Sequence, residues 1–309
     1  MKGLSKKIMK GQFMQKEEKK MFNVKEDGFH GELLIPKKDK YPEKVLIFLG
    51  GSSGDYEFIK DVAKVFCSQG LTVFPMAYVN DKGLKSDFSL IPIDMIELAA
   101  KMLHKKGYKK VGLWGISKGA ELVLTAASLL PELINAVVAV APINTVCQAF
   151  TKKKGFRYLP GSSWSYKGKE LPYTPYKNKK FPKAGIIIDS IKKRDLSLYD
   201  IYLPIVENPD ENAVIKVEKI NGPILLISSK MDNLFTSEIA SKKIMDRLQE
   251  YKFPYPYEHL SYDYGSHIFI PLDFSFIHLL KGDRGKNRKR GLEARMDSLY
   301  KTLEFVSSW

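Results

Sequence analysis

The segment Gly115-Ile116-Ser117-Lys118-Gly119 sets a serine between two glycines, directly after the apolar run at residues 111–114 and directly before a stretch of helical spacing. In a strand–turn–helix elbow the serine takes a strained backbone, and small residues two positions to either side avoid clashes. Its hydroxyl then stands above the end of a strand. The Lys118 amide, at the N-terminus of the new helix, is placed to donate to an oxyanion. This is equipment for acyl transfer, which further needs a base, an acid to orient it and a second oxyanion donor.

Five histidines are candidates for the base. His30 precedes the core of the sheet, His104 lies on a helix before the nucleophile, His259 sits inside a strand, and His278 follows residues 271–276. His267, in Tyr264-Gly265-Ser266-His267, occupies a loop after the last strand and completes the chain order Ser…Asp…His. The acid is expected at the end of the preceding strand, where Ile227-Ser228-Ser229-Lys230-Met231-Asp232 offers Asp232. Asp263 is nearer in sequence but precedes His267 by too few residues. The turn Gly50-Gly51-Ser52-Ser53-Gly54 is expected to supply the second oxyanion donor, from the backbone N–H of Ser52 or of Ser53. No Gly-Lys-Ser/Thr follows it, which excludes a phosphate-binding P-loop.

These residues must be carried by a regular scaffold, and the chain alternates accordingly. A hairpin is expected over residues 21–35, then a wholly apolar strand at 44–49, a helix over 56–69 closed by Gly70, and a strand at 71–76. A helix over 92–104, a strand at 111–114, a helix from Lys118 to about Leu130 and a strand at 136–140 follow. The rhythm resumes with a strand at 223–227, a helix over 237–251, a strand at 255–260 and a helix over 292–305. Short apolar runs alternating with helices imply βαβ units and a buried parallel sheet. Between about 147 and 217 the pattern breaks into Lys, Tyr, Pro and Gly, and we read an inserted cap over the site. The expectation is an α/β-hydrolase fold: a mostly parallel, doubly wound sheet over 41–309, a cap insert, and an N-terminal extension with a hairpin over 1–40.

Among 309 residues, 44% are hydrophobic and 28% charged, ordinary values for a soluble globular protein. No apolar run approaches the roughly 20 residues that cross a bilayer. The basic N-terminus lacks the apolar stretch of a secretory signal. Cys67 and Cys147 form no metal-type or redox-type pair, so a cytoplasmic protein without cofactor or metal is expected. The net charge of +15 is concentrated in residues 1–25 (+6), 151–183 (+9) and 281–295 (+5). No zinc-finger spacing, RNP-like run or base-reading helix accompanies it, so nucleic acid is not the expected partner. A solvated surface, or a positive rim attracting an anionic substrate, accounts for it.

Trp114-Gly115-Ile116-Ser117-Lys118-Gly119-Ala120-Glu121 resembles the nucleophile segment of the acyl-CoA thioesterase and bile-acid-CoA:amino-acid N-acyltransferase family. Tyr166-Lys167-Gly168-Lys169-Glu170-Leu171-Pro172 is similar to that family's cap segment, and the stretch from Ile215 through Gly222-Pro223 to Ile227 resembles another of its motifs. The likeness runs from about Val45 to Trp309. Members carry an N-terminal β-sandwich domain, whereas about 40 residues precede the catalytic sheet here. The resemblance implies cleavage of an acyl thioester, of acyl-CoA type, through an acyl-Ser117 intermediate, with Asp232 and His267 as acid and base. A carboxylesterase or dienelactone-hydrolase-like activity is the alternative, followed by amino-acid N-acyl transfer and a non-catalytic binding protein. The family's transferases tend to carry cysteine where this chain has Ser117, which leans toward hydrolysis. Lys152, Lys153, Lys154 and Arg157 are candidates to hold the phosphates of a CoA leaving group. Phe156, Tyr158, Trp164 and Tyr173 are candidates either to line an acyl pocket or to hold the cap together.

Overall fold

The computed structural model describes residues 20–153, 155–177 and 197–309. The chain opens with β1 (Lys20–Phe22) and β2 (His30–Leu33), an antiparallel pair joined by a helical turn that Asn23 caps. β3 (Lys44–Leu49), α1 (Tyr56–Ser68) and β4 (Thr72–Ala77) follow, then the short β5 (Ile91–Pro92), α2 (Asp94–Lys105), β6 (Lys110–Ile116), α3 (Lys118–Leu129) and β7 (Ala136–Val140). The cap carries β8 (Gln148–Thr151), β9 (Arg157–Ser162), β10 (Trp164–Tyr166), β11 (Lys169–Glu170) and α4 (Tyr199–Glu207), and after it come β12 (Ile224–Ser229), α5 (Ser237–Glu250), β13 (Tyr257–Tyr262) and the C-terminal α6 (Arg288–Ser308).

One sheet of eight strands runs in the order β1-β2-β4-β3-β6-β7-β12-β13. From β4 to β13 every pairing is parallel, and β1 and β2 close one edge antiparallel. The segment expected as an N-terminal extension therefore supplies two strands to the same sheet. The apolar runs are continuous because both faces are covered. Val45, Ile47 and Leu49 of β3 pack with Ile96, Leu103, Val123 and Ala126 of α2 and α3. Leu46 and Phe48 of the same strand pack on the opposite face with Val62 and Phe66 of α1 and Leu303 and Val306 of α6. Strand alternation thus feeds two cores at once.

Helix ends follow local chemistry. Asp55 accepts from the Phe58 amide at 3.1 Å to start α1, and Gly70, at φ 101°, lies just beyond its end. The cap has more regular structure than its sequence suggests. β8 (Gln148–Thr151) pairs antiparallel with β9 (Arg157–Ser162), and β10 (Trp164–Tyr166) pairs with β11 (Lys169–Glu170) and, in parallel, with β5. α4 (Tyr199–Glu207) and a 3-10 turn at Val217–Lys219 lead back to the sheet. These strands are too short for periodicity to register in sequence.

Candidate active site

Ser117 lies where β6 ends and α3 begins, with φ 58° and ψ −120°, a backbone that non-glycine residues rarely adopt. Its own amide donates to the Val140 carbonyl at 2.8 Å, anchoring the turn to the neighbouring strand. The flanking glycines are required by close approach. A Cβ at Gly115 would fall 2.3 Å from the Gly119 carbonyl oxygen, and one at Gly119 the same distance from that of Gly50. The helix start therefore presses against the end of β3. As first residue of α3, Lys118 has no intrahelical partner for its amide.

His267 Nε2 lies 2.8 Å from Ser117 Oγ, and His267 Nδ1 lies 3.0 Å from Asp232 Oδ2. An ionised carboxylate only accepts, so Nδ1 carries the proton toward Asp232 and Nε2 is the acceptor for the serine hydroxyl. Asp232 is fixed by further donors: the amides of Leu234 and Phe235 to Oδ1, and Ser237 Oγ to Oδ2 at 2.5 Å. Phe235 covers the imidazole with ring centroids 5.1 Å apart. All three members of the set are buried. The competing assignments go elsewhere. Asp263 pairs with Lys230 on the surface, and His259 bonds Ser228 beside Glu238, where burial lowers its pKa. His104 sits between the carbonyls of Tyr108 and Leu133, while His30 and His278 lie beside Asp81 and Asp273.

The turn after β3 faces the nucleophile through Gly51, whose missing Cβ would sit 3.3 Å from Ser117 Cβ. Gly54 N–H closes this turn onto the Gly51 carbonyl at 3.2 Å, leaving Ser52 and Ser53 as its central residues. Sequence reasoning passed over Tyr78. Its hydroxyl donates to the Gly50 and Gly51 carbonyls at 2.8 and 3.3 Å, and burial raises its pKa well above the ordinary tyrosine value. A trans peptide points its N–H opposite its C=O. With the Gly51 carbonyl held on Tyr78, the Ser52 amide is directed away from that ring.

A second omission is Glu121, although it ends the nucleophile segment. It is fully buried, takes the Lys118 ammonium at 2.7 Å on Oε2, and takes the Trp164 indole N–H and the Cys147 amide at 2.7 and 2.9 Å on Oε1. The Lys118 ammonium also stands 4.9 Å from the centre of the Trp164 ring. One carboxylate thus ties the start of α3 to both ends of the first part of the cap. Burial, and then Glu121, push the Cys147 thiol well above its ordinary pKa.

Trp164, a candidate either to meet substrate or to hold the cap together, is 0% exposed, with its indole committed to Glu121 and to Tyr78, which favours the cap role. Phe156 stacks on Phe150 and Tyr158 on Tyr176, contacts that hold the cap together. Lys152 reaches the site's rim, donating to the Ser52 carbonyl and standing 5.3 Å over the Phe156 ring. The residue as a whole is exposed, yet crowding around its ammonium lowers its pKa to about 8. Lys153 is exposed, 3.8 Å from Asp87, and Arg157 bonds only the Lys153 carbonyl, at 3.4 Å, among the described residues. Lys154 lies outside the described residues.

A parallel sheet whose central strand delivers a serine into a strained elbow, with histidine and aspartate arriving from later loops in that order, defines an α/β hydrolase. Solved structures agree on the fold. The chain superposes on a Klebsiella pneumoniae protein described as a dienelactone hydrolase with a TM-score of 0.54 at 13% identity, covering 91% of this chain and 93% of that one. A puromycin-hydrolyzing peptidase of Mycobacterium tuberculosis gives a TM-score of 0.56 at 15% identity, covering 94% and 39%.

Within that class the chain belongs to the BAAT / acyl-CoA thioester hydrolase C-terminal family, whose profile matches residues 91–276, more than half of its length. It is 27% identical over 263 residues to acyl-coenzyme A thioesterase 2, mitochondrial, of Rattus norvegicus, covering 81% of this chain and 50% of that protein. It is 24% identical over 298 residues to acyl-coenzyme A thioesterase 6 of Mus musculus, covering 93% and 64%. The chain therefore spans between half and two-thirds of the length of these relatives. Among the described residues no helix is long and apolar enough to cross a membrane.

Proposed function

We propose that the protein hydrolyses an acyl thioester, of acyl-CoA type, through a covalent acyl-Ser117 intermediate. The observation that carries this reading is the pair of contacts on one imidazole: 2.8 Å to the Ser117 hydroxyl and 3.0 Å to the Asp232 carboxylate. Ser117 Oγ attacks the thioester carbonyl while His267 Nε2 takes its proton. The resulting oxyanion is received by the Lys118 amide at the helix start and by the Ser52 amide in the turn held by Tyr78. Collapse breaks the C–S bond, and His267 returns the proton to the departing thiolate. Water then repeats the cycle on the acyl-serine, releasing the carboxylic acid and restoring the serine hydroxyl. Asp232 holds the imidazole tautomer and stabilises the imidazolium throughout.

The family's thioesterases support the thioester as substrate, and the lysines at the cap rim support an anionic leaving group. A fluorophosphonate probe should label Ser117 and no other residue. A substrate panel of CoA thioesters, uncharged thioesters of the same acyl chains and p-nitrophenyl esters should show the highest kcat/KM for the CoA thioesters. A preference for uncharged esters at every ionic strength would make the enzyme a carboxylesterase. Failure of Ser117 to label would remove the acyl-serine mechanism.

A further inference from the structure

The basic segment at residues 281–295 reads as surface, yet its last arginine is not on the surface. Arg295, on α6, is 0% exposed, and so is Asp283, whose Oδ1 accepts from Arg295 Nε at 3.1 Å. The other oxygen, Asp283 Oδ2, accepts the amide of Ser266 at 2.7 Å, immediately before the base His267. On the far side of His267, Arg295 Nη1 donates to the carbonyls of Ile270, at 3.3 Å, and of Leu272. Its Nη2 stands 3.6 Å from Asp273 Oδ1.

The neighbouring backbone is equally committed. Gly265 N–H donates to the Gly282 carbonyl at 3.2 Å, and the Gly265 carbonyl accepts from Ser229 Oγ at 2.6 Å. A Cβ at Gly282 would lie 1.8 Å from the Gly265 oxygen, so the two segments touch through bare backbone. Residues 263–274 contain no strand or helix, and within that stretch only short-range bonds, such as Phe269 N–H to the His267 carbonyl at 3.0 Å, hold the backbone.

A buried ion pair is weak as a stabilising device, since an apolar pair of the same volume often serves as well. What an apolar pair cannot supply is directional hydrogen bonding to backbone on both sides of one residue. We propose that Asp283 and Arg295 are positioning residues for His267: the Asp283–Arg295 pair clamps the base loop before and after the imidazole, and so fixes its reach to Ser117 and Asp232 at once. This rests on the acyl-Ser117 reading, in which His267 serves as base. A misplacement of roughly 1 Å at such a group costs about 10²-fold in rate.

The test uses the full chain with Arg295→Lys and Asp283→Asn, and p-nitrophenyl acetate as substrate. Each variant should lose about 10- to 100-fold in kcat with KM within about twofold, and fluorophosphonate labelling of Ser117 should slow by the same factor. The low-field proton resonance of His267 Nδ1, shared with Asp232, should broaden or shift while circular dichroism stays unchanged. Where a single variant does not fold, the double variant Asp283→Leu/Arg295→Met removes both charges and should fold with the same losses. Parental kcat, labelling rate and proton resonance in any folded variant overturn the proposal. It is also overturned if singles and double all fail to fold, since the pair then serves the fold as a whole. A parent that labels nowhere defeats the acyl-serine reading instead, and the proton resonance still reports whether the clamp sets the imidazole.

Discussion

Ser237 Oγ donates to Asp232 Oδ2 at 2.5 Å, the same carboxylate oxygen that His267 Nδ1 addresses at 3.0 Å. The hydroxyl belongs to the first residue of α5, so the packing of that helix sets the aim of the acid. Ser237→Ala should leave Asp232 less firmly aimed. A hydrogen bond to a charged group is worth about 1.5–3 kcal/mol, so we expect kcat to fall by roughly tenfold or more with KM nearly constant. Steady-state kinetics on one activated ester decides this; an unchanged kcat would leave Ser237 no part in aiming the acid.

Removing a triad member should be far more costly. Ser117→Ala and His267→Ala should each lower kcat by roughly 10³ or more, and combining them should add little, because the members act as a unit. Asp232→Asn should cost somewhat less. His259→Ala, at one of the rejected base candidates, and Asp263→Asn, at the rejected acid candidate, should keep parental kcat. If either of those proves crippling, the assignment of base or acid is wrong.

Glu121 makes a stability prediction. In Glu121→Gln the indole and amide donors keep an acceptor, but the Lys118 ammonium is left buried without its counter-charge. Breaking a buried pair by removing one partner costs about 3–5 kcal/mol. Urea unfolding should show that loss, with the midpoint moved and the slope unchanged. A variant within about 1 kcal/mol of the parent would mean that Lys118 finds water or another acceptor.

Lys152 makes a pH prediction. Its pKa, lowered to about 8 by burial of the ammonium, keeps it charged below that pH and neutral above it. An anionic leaving group is therefore favoured most at lower pH. The ratio of kcat/KM for an acyl-CoA to that for an uncharged thioester of the same chain should fall as pH rises through 8. One exposed contact is worth about 0.2–1 kcal/mol, so a change of up to about fivefold is expected at low salt. Lys152→Arg should flatten the profile, because the guanidinium stays charged. A ratio that is constant with pH in the parent would take Lys152 out of leaving-group recognition.

The parallel strands and helices of the main sheet were legible in the sequence because each is specified locally; the short strands of the cap were not. The uniform apolar runs at β3, β6, β7 and β12 announce strands buried on both faces, and Gly115 and Gly119 announce an elbow whose backbone admits no side chain. Chain order then selected His267 among five histidines and Asp232 over Asp263. Local signals ran out where function depends on residues distant in sequence. Trp164 in a polar-looking cap read equally as a substrate contact or as cap packing, and only the tertiary structure revealed it as a partner of Glu121. Arg295 stood in a run of lysines and arginines that any composition argument assigns to solvent. It is buried because α6 brings it against Asp283 and the loop that carries His267. Tyr78 likewise gained its role only when β4 aligned beside β3. A sequence states which side chains exist and the local backbone they favour. Which donor meets which acceptor, across 26 or 43 or 150 positions of chain, is decided by the closing of the sheet and its helices around a common core.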